Sequence, residues 1–186
     1  MLINLHSTIK SSRVNGPGSR FVIWTQGCRK GCKNCYNPET WSHYKNNLIT
    51  IEEIIEEIKN SSATGVTISG GDPFEQEDDL LALLFLLSGR NYKKGVIVFS
   101  GYTKEQIEQH PIRKKCLEYV DVLIDGLYVD ELNIGVDLRG SSNQQFHFFS
   151  NKIKEEELKL IYEFDEKMKE LAKIIVEQYQ PGKELS

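Results

Sequence analysis

Hydrophobic and polar positions alternate along the chain with two periods, one that suits a strand and one that suits a helix. Phe21-Val22-Ile23-Trp24-Thr25 is a β-branched and aromatic run that predicts a first strand. Thr50-Ile51-Glu52-Glu53 has the form of a capping box, and Ile51, Ile54, Ile55 and Ile58 follow at helical spacing, which predicts an amphipathic helix over 51–60. Gly65-Val66-Thr67-Ile68-Ser69 predicts a second strand, and an apolar helical stretch runs from Asp78 to Leu87. A third strand is expected at Gly95–Phe99, a short helix at Thr103–His110, and a fourth strand at Val120–Ile124.

Strands separated by helices in this way imply βαβ units and a parallel sheet, with ligands at the carboxyl ends of the strands. Each predicted strand runs into a polar or glycine-bearing motif there: a cysteine loop, Ser69-Gly70-Gly71-Asp72-Pro73, Ser100-Gly101-Tyr102, and Asp125-Gly126. A full eight-unit barrel needs about 250 residues. The fold expected is therefore α/β, a partial, open (βα) barrel of parallel strands whose missing side a partner covers. Residues 1–150 form the core domain in this reading, and 151–186 a helical extension. In that extension Leu158, Ile161, Phe164, Met168, Leu171, Ile175 and Tyr179 keep to one stripe among Lys and Glu.

Composition narrows the function. The chain has 186 residues, 39% of them hydrophobic and 27% charged, as expected of one globular domain with a sizeable core. A net charge of −4 weighs against nucleic acid as a partner, because phosphate binding needs a basic surface. No run approaches the ~18 apolar residues of a transmembrane helix, and the start of the chain lacks the pattern of a signal peptide. The expectation is a cytoplasmic protein that binds no membrane.

The most specific chemical feature is Cys28, Cys32 and Cys35, a C-x3-C-x2-C loop directly after the first strand. Two disulfides among four cysteines are disfavoured, since tight cysteine spacings more often hold metal. Three thiolates are one fewer than a closed zinc site or an ordinary iron–sulfur site uses. The triad points to a four-iron cluster with one iron left open for a substrate, with a zinc loop or a purely structural cluster as the alternatives. Cys116 stands apart and reads as a structural thiol.

Joined to Gly70-Gly71-Asp72-Pro73 on the next strand, this loop resembles the radical S-adenosylmethionine (SAM) enzymes. Further stretches are similar to the activating enzymes of anaerobic ribonucleoside-triphosphate reductase. These are Asn15–Arg20, Gln26-Gly27-Cys28, Cys35–Trp41, Ser100–Thr103, Asp121–Gly126 and Leu138-Arg139-Gly140-Ser141-Ser142-Asn143-Gln144. The resemblance covers roughly residues 13–146. Leu5–Ser12 and the charged tail fall outside it.

The resemblance implies a [4Fe-4S] cluster on the three cysteines and SAM on the open iron. SAM is then cleaved reductively, and a glycyl radical is generated on a partner protein, the large subunit of anaerobic ribonucleotide reductase. A flavodoxin- or ferredoxin-like donor supplies the electron. The turn Gly70, Gly71, Asp72 and Pro73 holds the methionyl amine, backbone from Asn34 to Tyr36 lies along the adenine, and Ser100 reaches the ribose. Arg20 and Arg139 are candidates for SAM's carboxylate or the partner's loop, and Asp125 for a place facing the site. Two other functions fit the motifs less fully: radical SAM chemistry on a different protein or small molecule, and a non-catalytic cluster or zinc module.

Overall fold

The strand that ends where Thr25 hands over to the cysteine loop is the second of the fold, preceded by one the apolar runs do not predict. The structure, a computed structural model, describes residues 1–90, 92–134, 137–158, 167, 170, 171, 173 and 174. Its sheet has seven strands: β1 (Leu2–Ser12), β2 (Arg20–Thr25), β3 (Asn47–Thr50), β4 (Gly65–Gly70), β5 (Val96–Phe99), β6 (Val122–Asp125) and β7 (Gln145–Phe148). The helices are α1 (Ile51–Lys59), α2 (Glu77–Ser88), α3 (Lys104–Glu108) and α4 (Pro111–Cys116). Strand order is β3-β1-β2-β4-β5-β6-β7, an open sheet with the parallel strands β2, β4, β5 and β6 at its centre.

The four central strands are those the apolar runs predict. The sheet is nonetheless mixed, because β1 and β3 extend one edge antiparallel and β7 pairs antiparallel with β6 on the other. The segment Leu5–Ser12, outside the resemblance, belongs to β1, which buries Ile3 and Leu5 beside β2. The C-terminal stripe falls largely on Ile161, Phe164, Met168, Ile175 and Tyr179, which lie outside the described residues.

The pleat of the sheet sends alternate side chains to opposite faces. One face carries the larger core, where Phe21, Ile23, Val66, Ile68, Val96 and Val98 meet α1 and α2 through Ile54, Ile58, Leu80, Leu83, Leu84 and Leu87. α1 starts from the predicted capping box, in which the Thr50 hydroxyl accepts from Glu53 N–H and the Glu53 carboxylate accepts from Thr50 N–H. The other face carries a smaller core of Ile97, Val122 and Ile124, covered by Ile153 and Leu158. Cys116 is fully buried in the larger core, and burial pushes its thiol up to about 12, in keeping with a structural role.

Arg20 corrects an expectation. It opens β2 at the end of the strand opposite the cysteine loop and is fully buried. Its guanidinium donates to Thr67 Oγ1 at 2.9 Å, to Gly95 O at 3.2 Å, and to the carbonyls of Val66 and Lys94. Burial lowers its pKa to about 9, with Asp121 opposing the shift. Arg20 therefore satisfies backbone carbonyls at the amino ends of β4 and β5, at the end of the strands away from the cysteine loop.

Candidate functional site

The carboxyl ends of the parallel strands enclose a cavity of about 530 Å³. Trp24 of β2, Ser69 of β4 and Phe99 of β5 form its floor from the face opposite the helices. Cys28, Cys32, Cys35 and Tyr36 line one wall, Gly70 to Asp72 another, and Leu138 to Gly140 with Gln144 the far side. Three of the four carboxyl-end motifs thus meet as the topology predicts, and the fourth contributes through Gly126.

The cysteine loop is anchored firmly at its base. Gly27 N–H donates to Thr40 O at 2.7 Å and Cys28 N–H to Trp41 O at 3.1 Å, while Asp72 N–H donates to Gly27 O at 2.9 Å. Gln26 bonds the carbonyls of Glu39 and Ser42, and Gln76 bonds that of Gln26. These bonds make the Gly-Gly-Asp-Pro turn and the cysteine loop one unit. The glycines serve this packing: a Cβ on Gly70 would lie 2.2 Å from Thr25 N, and one on Gly71 would lie 2.3 Å from Gly27 O. Gly70 also has φ +117°, a conformation that favours glycine.

All four cysteines carry free thiols, and the three on the loop are partly exposed. Burial pushes Cys28 up to about 11 and also raises Cys32. In the metal-free chain these are neutral thiols at pH 7, and an incoming metal displaces their protons. Among the described residues no three His, Cys, Asp or Glu side chains are gathered tightly enough to hold a metal ion. The donor set nevertheless fits an iron–sulfur cluster with one iron unheld by protein. Three thiols face one cavity, its described lining holds no histidine, and the remaining cysteine is sealed in the core.

Asp72 faces inward and is fully buried. It accepts from Phe74 N–H at 3.1 Å, from Gly101 N–H at 2.9 Å, and from the Ser100 hydroxyl at 3.1 Å. Ser100 Oγ also accepts from Tyr102 N–H. Ser100 therefore lines the cavity while its hydroxyl donates to Asp72, and Asp72 joins the β4 turn to the β5 turn. Pro73 is buried, and it opens the 3₁₀ turn Pro73–Gln76.

Burial raises the Asp72 pKa from its ordinary 3.8 to about 6, against the pull of its hydrogen-bond donors. A carboxyl with a raised folded pKa binds more protons in the folded state. Its contribution to stability is thus complete below the unfolded value and is lost as pH rises through the folded one. Wild-type stability is expected to fall relative to Asp72→Asn between about pH 4 and 6, by up to ~1.4 kcal/mol per pH unit. Urea unfolding at half-unit intervals checks this, and parallel curves for the two proteins would refute it.

Asp125 turns elsewhere, and the Asn34 side chain leads outward, whereas the expectation for Asn34 concerns its backbone. The Asp125 carboxylate accepts from Lys104 N–H at the start of α3, and His147 Nε2 lies 3.1 Å away without hydrogen-bond alignment. It is absent from the cavity wall, so it supports α3 and does not face the site. Asn34 has φ +54° and sends its amide out to Asp130 Oδ2 at 2.7 Å, away from the cavity. Arg139 does line the cavity, paired with Asp137 at 2.8 Å and lying over the Phe146 ring.

Sequence reasoning missed the contacts that support these groups. Lys30 Nζ sits 3.1 Å from the centroid of the Tyr102 ring, and the Tyr102 hydroxyl donates to the buried Glu75 carboxylate. The turn around Tyr128 to Asn133 packs against the cysteine loop. The polar heptapeptide Leu138–Gln144 was the one available signal for that packing. Among the described residues no helix is long and apolar enough to cross a membrane.

Comparison with known proteins gives concordant results. The family described as "4Fe-4S single cluster domain" matches residues 14–147. The anaerobic ribonucleoside-triphosphate reductase-activating protein of Enterobacteria phage T4 is 35% identical over 137 residues, 71% of this chain and 85% of that protein. The protein of the same name from Vibrio cholerae serotype O1 is 34% identical over 157 residues, 80% of this chain and 99% of that protein. Among solved structures, QueE from Escherichia coli overlaps 55% of this chain and 54% of its own, at a TM-score of 0.44 and 21% identity, too slight a likeness to carry an argument.

Proposed function

Because the chain belongs to the 4Fe-4S single cluster domain family, in company with anaerobic ribonucleoside-triphosphate reductase-activating proteins, we propose that it is the radical SAM activase of such a reductase. The observation that carries this reading is the meeting of Cys28, Cys32 and Cys35 with the Gly70–Gly71 turn on one cavity. When bound, a [4Fe-4S] cluster would supply the electron for reductive cleavage of SAM, the chemistry that would leave a glycyl radical on the reductase's large subunit.

The chain's own residues hold and shield. Cys28, Cys32 and Cys35 would hold the cluster through their sulfurs. The backbone at Gly70 and Gly71 lies against the methionyl end of SAM, with Asp72 keeping that turn in place. Tyr36 lines the path of the adenine. Trp24 and Phe99 exclude water from the floor, which protects a reactive species from side reactions. Arg139, held by Asp137, offers a guanidinium to a carboxylate on SAM or on the partner.

The parallel strands β2, β4, β5 and β6 act as the arc of a partial, open (βα) barrel, and the partner's glycine loop enters at its uncovered side. Residues 1–150 form the working domain and 151–186 an extension. A flavodoxin- or ferredoxin-like protein delivers the electron. The test is anaerobic reconstitution with iron and sulfide, followed by dithionite, SAM and the purified reductase. Both 5′-deoxyadenosine and a glycyl-radical doublet in the electron paramagnetic resonance spectrum are expected. A loaded, reducible cluster that yields neither product with the reductase present would overturn the reading.

A further inference from the structure

The outer arm of the cysteine loop, from Lys30 to Tyr36, has little backbone support of its own. Among the described residues its one backbone–backbone hydrogen bond is Cys35 N–H to Cys32 O at 3.2 Å. Lys30 rests over the Tyr102 ring, and Asn37 N–H reaches Cys35 Sγ at 3.5 Å. The remaining fixed points of the arm lie on a turn nearly a hundred residues further along. Lys33 Nζ meets Glu131 at 2.8 Å, Asn34 Nδ2 donates to Asp130 at 2.7 Å, and Asn133 Nδ2 donates to the Tyr36 hydroxyl at 2.7 Å. The Tyr36 and Tyr128 rings pack at 5.1 Å.

The turn is itself held from behind. Tyr128 OH donates to Asp130 Oδ1 at 2.9 Å, and Val129 N–H donates to the fully buried Ser141 Oγ at 3.1 Å. Asn143 Nδ2 donates to Leu127 O and Gln144 Nε2 to Gly126 O. A Cβ on Gly140 would press on both tyrosine rings, at 3.0 Å from Tyr128 and 3.2 Å from Tyr36. The heptapeptide Leu138–Gln144, whose side chains the proposed chemistry uses only at Arg139, thus supports the turn that grips the thiol loop.

We infer that the Tyr128–Asn133 turn is a clasp that fixes the outer arm of the cysteine loop, positioning Cys32 and Cys35 before any metal binds. Ligands held in advance lose less conformational freedom on binding, and groups behind the ligands set their orientation. Asp130 is the central positioning residue, since it joins Asn34 to Tyr128. Asn34 suits its place twice, as the amide donor and as a residue that tolerates φ +54°.

The inference rests on the cysteine loop being the ligand loop, but its test needs no metal, so failure of the cluster reading would leave the result interpretable. Metal-free full-length protein is pulsed with iodoacetamide under argon, and labelling is read at each cysteine by mass spectrometry. Asp130→Ala is expected to raise the rate at Cys35 by about tenfold. Asp130→Asn, which keeps an acceptor for Asn34, is expected to restore the wild-type rate. Cys28, anchored through the loop base, and buried Cys116 should not change. Asn34→Gly removes the same bond while permitting the positive φ, and stands in if Asp130→Ala fails to fold. An unchanged Cys35 rate in both variants, an equal rise at Cys28, or no rescue by Asp130→Asn would overturn the clasp.

Discussion

Cys32→Ala is expected to leave a folded chain that no longer retains iron and no longer makes 5′-deoxyadenosine. The side chain lies on the cavity wall, outside both buried cores. Its backbone carbonyl, which accepts from Cys35 N–H, is kept in alanine. The melting temperature should therefore stay close to that of the wild type. Iron retention has no such reserve, because the cavity presents three thiols and the fourth cysteine is sealed in the core. Loss of groups that merely support a ligand costs ~10–100-fold in metal affinity, so loss of a ligand should cost more. Cys116→Ala is the matching control, expected to lower stability through lost packing while iron retention persists. Iron and sulfide analysis after anaerobic desalting, beside thermal melts, checks both variants. Iron retained by Cys32→Ala and lost by Cys116→Ala would reverse the assignment.

What could be read in advance follows from where burial leaves a trace in the residue pattern. The strands β2, β4, β5 and β6 are covered on both faces, so Phe21–Thr25, Val66–Ser69, Val96–Phe99 and Val122–Ile124 stand out as apolar runs. β1 buries Ile3 and Leu5 alone among its mostly polar residues, and β7 buries none of its four fully. Those antiparallel outer strands left too weak an alternation to find. The cysteine spacing announced its own chemistry, because few arrangements other than metal binding need three thiols so close together.

The individual polar side chains were less legible. Arg20 and Arg139 look alike in the sequence, yet Arg20 is locked under the amino ends of β4 and β5 and Arg139 lines the cavity. Asp72 sits in a motif that suggests ligand contact, while its oxygens are spent on Phe74, Ser100 and Gly101. Asn34 sits in the cysteine loop as an ordinary polar residue in the sequence, and the bond from its amide to Asp130 gives it a place in the clasp. These assignments depend on which loop comes opposite which, and pairings 28 to 96 residues apart have no local signature.

That long-range packing is sharpest at Gly71, where a single methyl group is expected to disable the site. Its Cβ would lie 2.3 Å from Gly27 O, 2.7 Å from Gly27 C and 2.9 Å from Thr40 O. All three are backbone atoms, so no side chain can swing aside to make room. Gly27 directly precedes Cys28, and Thr40 O accepts the Gly27 N–H, so relief of the clash must move the base of the cysteine loop. Overpacking of this kind costs ~1–3 kcal/mol where the surroundings can yield, and here the yielding part carries the first iron ligand. Gly71→Ala should therefore lower stability by about that amount and reduce iron retention more than tenfold, since a misplaced ligand behaves as a weakened one. Gly89→Ala, whose Cβ would meet only Leu86 O at 3.9 Å, should change neither. Urea melts and iron analysis on the two variants decide the matter. Normal iron retention by Gly71→Ala would mean that the loop base and the Gly-Gly-Asp-Pro turn are not mechanically joined, and that the turn's glycines answer to the ligand instead.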